Sequence, residues 1–166
     1  RVANVRRARA RTLLSLPSPI LRLMSGGTAV YRGGRTLDPR FQFMAAQAAR
    51  MPAMTSLSPE EARRATAEGG KVYGGRPEPG VRVEPLTIPA GERSIAARLY
   101  RPQQQDPAAP AIVFAHFGGG VIGDLDTSHA FCGILAKVAR APVVSVEYRL
   151  APEHRFPAGL DDVLAA

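Results

Sequence analysis

The strongest chemical signal in the chain is the run His116-Phe117-Gly118-Gly119-Gly120-Val121-Ile122-Gly123-Asp124. A short apolar segment, Ala-Ile-Val-Phe-Ala at 111–115, leads into it. Each glycine adds to the conformational entropy lost on folding, so three in a row after a buried strand need a reason. Either the backbone turns sharply there, or it comes close to something with no side chain in the way. Free N–H groups in such a loop can hold an anion. The anion is either a phosphate or an oxygen that becomes negative during a reaction.

Spacing narrows these choices. Gly118 to Gly123 contain the string G-x-G-x-x-G of a dinucleotide-binding turn. The next helix, however, is expected only from about residue 127, and that string alone is a weak signal. A P-loop needs Gly-Lys-Ser/Thr, which the chain lacks. An oxyanion hole needs about two N–H groups aimed at one point beside a nucleophile. A glycine loop at the end of a central strand suits that. The string alone leaves phosphate and oxyanion both open.

The flanking sequence predicts the elements that hold this loop. Residues 111–115 read as a strand buried on both faces. Residues 127–140 read as a helix with Phe131, Ile134, Leu135 and Val138 inward and Thr127 or Ser128 as N-cap. Pro142 ends that pattern, and Val143-Val144-Ser145-Val146 is a second buried strand. Pro157 and Ala158 open a further helix with Leu160, Val163 and Leu164 on one face. Ahead of the loop, residues 81–88 and 95–100 alternate with period two around a turn at 89–92, which predicts a hairpin. Ser58-Pro59-Glu60-Glu61 is a capping box, and its helix is expected to run to about Glu68 and stop at Gly69-Gly70. Asp38-Pro39 opens another helix, with Phe41, Met44, Ala45, Ala48 and Met51 on one face. Strand, glycine loop, helix, strand and helix in succession define an α/β chain.

Charge is unevenly spread. The chain of 166 residues has 22 Lys and Arg, 14 Asp and Glu, and a net charge of +8. All of that excess lies in residues 1–35, which hold eight arginines and no acid. The body is neutral, so nucleic-acid binding over a folded face is not expected. Residues 1–16 read as a basic helical arm, with an interfacial helix or a transit segment as the other readings. The single cysteine, Cys132, excludes an intrachain disulfide and a Cys-based metal cluster. No apolar run approaches the roughly 20 residues of a membrane span. The chain begins with Arg1 and ends at Ala166 inside an apolar helical pattern, and it reads as part of a longer protein.

His116-x-Gly-Gly, Gly123-Asp124-Leu125-Asp126-Thr127 and Tyr148-Arg149-Leu150-Ala151-Pro152-Glu153-His154-x-Phe156-Pro157-Ala158 together resemble the hormone-sensitive-lipase-like (bacterial family IV) esterases. The resemblance covers about residues 37–166. It implies the N-terminal portion of an α/β-hydrolase fold: a mainly parallel sheet with a leading antiparallel hairpin, preceded by helical cap segments. The division is residues 1–75 as basic arm and cap, and 76–166 as the first part of the catalytic domain. It implies carboxylic ester hydrolysis by a Ser–Asp–His triad without metal or cofactor. The oxyanion donors fall on Gly118 and Gly119, with Phe117 and Gly120 beside the substrate. His116, Asp124 and Tyr148 become structural supports of the loop.

The chain departs from that pattern in two ways. Phe117 stands at the first glycine position and Gly120 where the family usually has an aromatic. A positive φ at Phe117 would strain the loop. None of the eight serines lies in a G-x-S-x-G elbow, so the triad is expected outside this chain. His129 and His154 are expected to brace loops, Asp161 and Asp162 to begin a solvated helix, and Cys132 to be a small buried hydrophobe. The partner implied is a small ester or lipid, with a homodimer left open and a cytoplasmic location. Two other readings stand beside the enzyme. One is a non-catalytic, receptor-like ligand-binding member of the same fold. The other is a membrane- or nucleic-acid-binding module acting through the Arg-rich arm.

Overall fold

Prolines and turn glycines cut the first part of the chain into short helices. The structure is a computed structural model that describes residues 2–166. Helix α1 is Val2–Leu14, and α2 is Ser18–Met24, entered through Pro17. A small hairpin follows, β1 (Tyr31–Arg32) with β2 (Arg35–Thr36), turned by Gly33-Gly34. Helix α3 is Pro39–Ala48, and the Asp38 carboxylate caps it by accepting from the Arg40 N–H at 2.8 Å. The buried stripe of α3 runs through Pro39, Gln42 and Phe43, whereas Phe41 and Met51 are exposed. The expected face was thus misplaced. Gln42 sets the rotation, because its side-chain amide donates to the Thr28 carbonyl at 2.7 Å and must point inward. By contacts, this unit ends at Ser58 and a second spans Pro59–Ala166.

The second unit opens with α4, Pro59–Tyr73. It does not stop at Gly69-Gly70. Glycine weakens a helix interior by about 1 kcal/mol per residue without forbidding it, and the chain leaves the helix only beyond Tyr73, where Gly75 has φ +54°. Strands β3 (Val81–Ala90) and β4 (Arg93–Pro102) pair over their full length, from Val81 opposite Pro102 to Ala90 opposite Arg93. The turn is only Gly91-Glu92, so Pro89 and Ala90 belong to the strand. Then come β5 (Ile112–Ala115), α5 (His129–Ala139), β6 (Val143–Val146) and α6 (Ala158–Ala165).

The sheet order is β3-β4-β6-β5. It is mixed: β5 and β6 run parallel, while β4 pairs antiparallel with both β3 and β6. The core gathers Tyr100, Cys132, Ala136 and Val143, with Val81, Ile112, Phe114 and Leu135 packed against it. Two burial expectations need correction. On α5 the inward residues are Cys132, Gly133 and Ala136, and Phe131, Ile134 and Val138 are exposed. Small residues face the sheet there, which lets the helix approach closely. Strand β5 lies at the sheet edge and alternates in burial, with Val113 exposed. No helix among the described residues is long and apolar enough to cross a membrane.

Candidate active site

The loop after β5 is built from backbone that only glycine readily adopts. Gly118, Gly119, Gly120 and Gly123 have φ of +134°, +62°, +71° and +99°. A Cβ on Gly118 would overlap the Ile122 carbonyl oxygen, and one on Gly123 would sit 2.5 Å from both His116 Nδ1 and the Phe117 oxygen. Phe117 keeps a negative φ, since Arg140 is the only described non-glycine residue with a positive one. The aromatic therefore brings no backbone strain, and its side chain is exposed.

Peptide planarity explains where the loop's N–H groups point. In a trans peptide the C=O and N–H point in opposite directions, so fixing one fixes the other. The Phe117 carbonyl accepts from His116 Nδ1 at 3.1 Å, which orients the Gly118 N–H. A carbonyl can only accept, so the Nδ1 carries the proton. The Gly118 carbonyl accepts from the Val121 and Ile122 N–H groups at 3.1 Å each, which orients the Gly119 N–H. The Gly120 carbonyl accepts from the Ala151 N–H at 2.7 Å. The N–H groups of Gly118, Gly119 and Gly120 find no acceptor among the described residues.

Neighbouring residues hold this arrangement. Tyr148 stacks on His116 and donates its hydroxyl to the His116 carbonyl. Asp124 Oδ1 accepts from the Asp126 and Thr127 N–H groups at 3.0 and 2.8 Å and from the Thr127 hydroxyl. Burial raises the Asp124 pKa, but these bonds outweigh it and hold the carboxyl below its ordinary value. Glu147 at the end of β6 accepts from the Leu125 N–H at 2.8 Å. Burial dominates there and pushes its pKa up. Arg98 on β4 ties the following turn through the Leu125 carbonyl at 3.2 Å and the Asp126 carboxylate at 2.8 Å. His129 braces the same place, 3.0 Å from the Tyr100 hydroxyl, and burial lowers its pKa.

Two cavities border the loop. One of about 420 Å³ is lined by Gly119, Gly120, Ala115, Tyr148, Leu160 and Val163 among others. The other, of about 580 Å³, is lined by Gly123, Asp124, Glu147, Arg63 and Glu153 among others. Gly119 and Gly120 thus face a largely apolar space. Phe117 and Gly118 are not among its lining residues. No serine lines either cavity. Among the described residues, no group of three or more His, Cys, Asp or Glu could hold a metal ion.

Asp162 corrects an expectation. It is 1% exposed, not solvated, and its carboxylate receives Arg149 through Nε at 2.9 Å and Nη2 at 2.9 Å, and pairs with Arg93 of β4. Burial raises its pKa, but the arginines prevail and lower it. Arg63, Arg98, Glu147 and Asp162 were not singled out as site supports by sequence. A buried Asp beside an Arg-rich turn leaves no spacing signature, because its partners lie on other elements.

The geometry therefore defines a strand–glycine loop–helix unit with oriented, unoccupied backbone donors. Residues 112–166 match the family described as having the alpha/beta hydrolase fold. The carboxylic ester hydrolase LipN of Mycobacterium tuberculosis is 38% identical over 154 residues, covering 91% of this chain and 40% of that protein. The ethyl acetate hydrolase of Pseudomonas putida is 39% identical over 116 residues, covering 68% of this chain and 36% of that protein. Among solved structures, an esterase of Pyrobaculum calidifontis superimposes with a TM-score of 0.63 at 36% identity, over 73% of this chain and 39% of that one. The chain thus spans about 40% of the length of the relatives it matches.

Proposed function

We propose that the whole protein is a serine-dependent carboxylic ester hydrolase, to which this chain contributes the oxyanion loop and the cap. One observation carries the reading: the Gly118 and Gly119 N–H groups, oriented by the bonds that their peptide carbonyls accept, lack an acceptor among the described residues, and Gly119 borders an apolar cavity. Gly118 and Gly119 serve as the oxyanion donors, each contributing about 3 kcal/mol to transition-state stabilisation. Gly120 and Phe117 border the acyl group, and His116, Asp124 and Tyr148 keep the loop in place. Residues 1–75 serve as arm and cap and 76–166 as the leading part of the catalytic domain. No cofactor takes part. The partner is a small ester or lipid substrate and not a nucleic acid. A homodimer and a cytoplasmic location complete the reading, and the single buried thiol of Cys132 suits a reducing compartment.

The experiment is hydrolysis of p-nitrophenyl butyrate by the whole protein and by residues 1–166 alone. The whole protein is expected to turn the ester over and the shorter chain to be inactive. Tight binding without turnover by the whole protein would favour a receptor-like role instead.

A further inference from the structure

Arg63 on α4 has no place in the sequence pattern of the glycine loop, yet it reaches the loop directly. Its Nε donates to the Val121 carbonyl at 2.8 Å, and its Nη2 donates to the Ala151 carbonyl at 2.8 Å. The remaining reach of the guanidinium is taken by Glu153, through Nη1 to Oε1 at 2.9 Å and Nη2 to Oε2 at 2.6 Å. Three segments far apart in sequence meet at one planar group.

These contacts close a ring. Val121 donates its N–H to the Gly118 carbonyl, and Ala151 donates its N–H to the Gly120 carbonyl. Arg63 joins the carbonyls of the same two residues. We propose that Arg63 is a positioning residue for the glycine loop, locking Val121 to Ala151 and, through the Gly118 carbonyl that Val121 and Ile122 hold, the direction of the Gly119 N–H. This rests on the reading of the loop as an oxyanion hole. Glu153 holds the guanidinium in plane with two parallel bonds, a task a lysine cannot share, because its ammonium is a point charge without the fork. Side-chain exposure of Arg63 is 29%, so its role does not depend on deep burial.

The test uses the whole protein with Arg63→Met, Arg63→Lys and Arg63→Ala. With p-nitrophenyl butyrate, Arg63→Met is expected to lower kcat by about tenfold to a hundredfold, a fraction of the loss of an oxyanion donor itself. KM should move less than about twofold, because substrate binding is untouched. Arg63→Lys should recover little, and added guanidinium ion should restore part of the kcat of Arg63→Ala. Hydrogen exchange should speed up at the bonded amides of 121, 122 and 151 and stay unchanged in α5. An unchanged kcat, or a kcat loss equal to the unfolded fraction, would overturn the proposal. If the unsubstituted protein hydrolyses no ester, the oxyanion reading fails. The exchange result then still decides whether Arg63 positions the loop, and unchanged protection at 121, 122 and 151 rejects that.

Discussion

The Tyr148 hydroxyl donates to the His116 carbonyl at 2.7 Å while the two rings stack with centroids 4.3 Å apart. One side chain thus fixes both the ring and the backbone of the residue that orients Gly118. His116 is 3% exposed, so its carbonyl has little water to fall back on. Tyr148→Phe keeps the stack and removes the bond. The expected cost is about 1–2 kcal/mol, read as a lower melting temperature. An unchanged melting temperature would mean that the hydroxyl contributes nothing.

The glycines of the loop are not equivalent. Gly118→Ala and Gly123→Ala meet backbone or a packed ring and must displace it. Gly119→Ala meets nothing within 4 Å and suffers only from its φ of +62°, a cost of about 1–2 kcal/mol. Urea unfolding should rank Gly118→Ala and Gly123→Ala well below Gly119→Ala in stability. Equal midpoints for the three would contradict the geometry.

Asp162 is a buried anion with two arginine partners. Asp162→Ala leaves Arg93 and Arg149 facing each other without it, along with the Arg149 N–H that it accepts at 2.9 Å. Breaking such a pair costs about 3 kcal/mol, discounted toward 2 because both arginines are partly exposed. Asp162→Asn should cost less, since it retains an acceptor for the backbone. Chemical denaturation of both variants checks the order.

Acid should loosen the unit for a definite reason. Arg63 foremost lowers the Glu153 pKa from 4.5 to about 2, and those of Asp124 and Asp162 are lowered as well. A carboxyl with a depressed folded pKa stabilises above its unfolded value and loses that contribution as pH falls through the folded one. For Glu153 the window runs from about 4.5 down to about 2. Glu147 opposes this, because its raised pKa makes protonation favour the folded state. Three groups outweigh one, so the urea midpoint should fall as pH drops below about 4.5, and Glu153→Gln should flatten that slope. A midpoint that rises on acidification would refute the balance.

Cys132 is fully buried, and burial pushes its thiol pKa up. A suppressed thiolate is a poor nucleophile. Peptide mapping after alkylation should find Cys132 unmodified in the native protein and modified only after unfolding. Rapid native labelling would show that α5 leaves the sheet readily.

The hairpin, both parallel strands and the glycine loop were legible because their signals are local: period two, short apolar runs, and residues that alone permit a positive φ. The N-cap Asp38 was legible for the same reason. The helix faces were less so. On α3 a hydrogen-bonding Gln42 outranks Phe41 for the interior, and on α5 small Cys132 and Ala136 outrank bulky Phe131 and Val138. Hydrophobicity alone ranks those residues the other way. Arg63, Arg98 and Asp162 act across elements separated by tens of residues, and no spacing within a single element announces such partners.

Strand β6 has a consequence for the order in which the chain assembles. β4 and β5 follow each other in sequence but do not pair, and β6 lies between them and pairs with both. During synthesis the β3–β4 hairpin can close by itself, since its contacts are local. Beyond it, both β4 and β5 keep a bare edge until residues 143–146 emerge. The last-made of the four strands is therefore the seam that turns two separate pieces into one sheet. Until it arrives, those edges are the places where a nascent chain would stick to another.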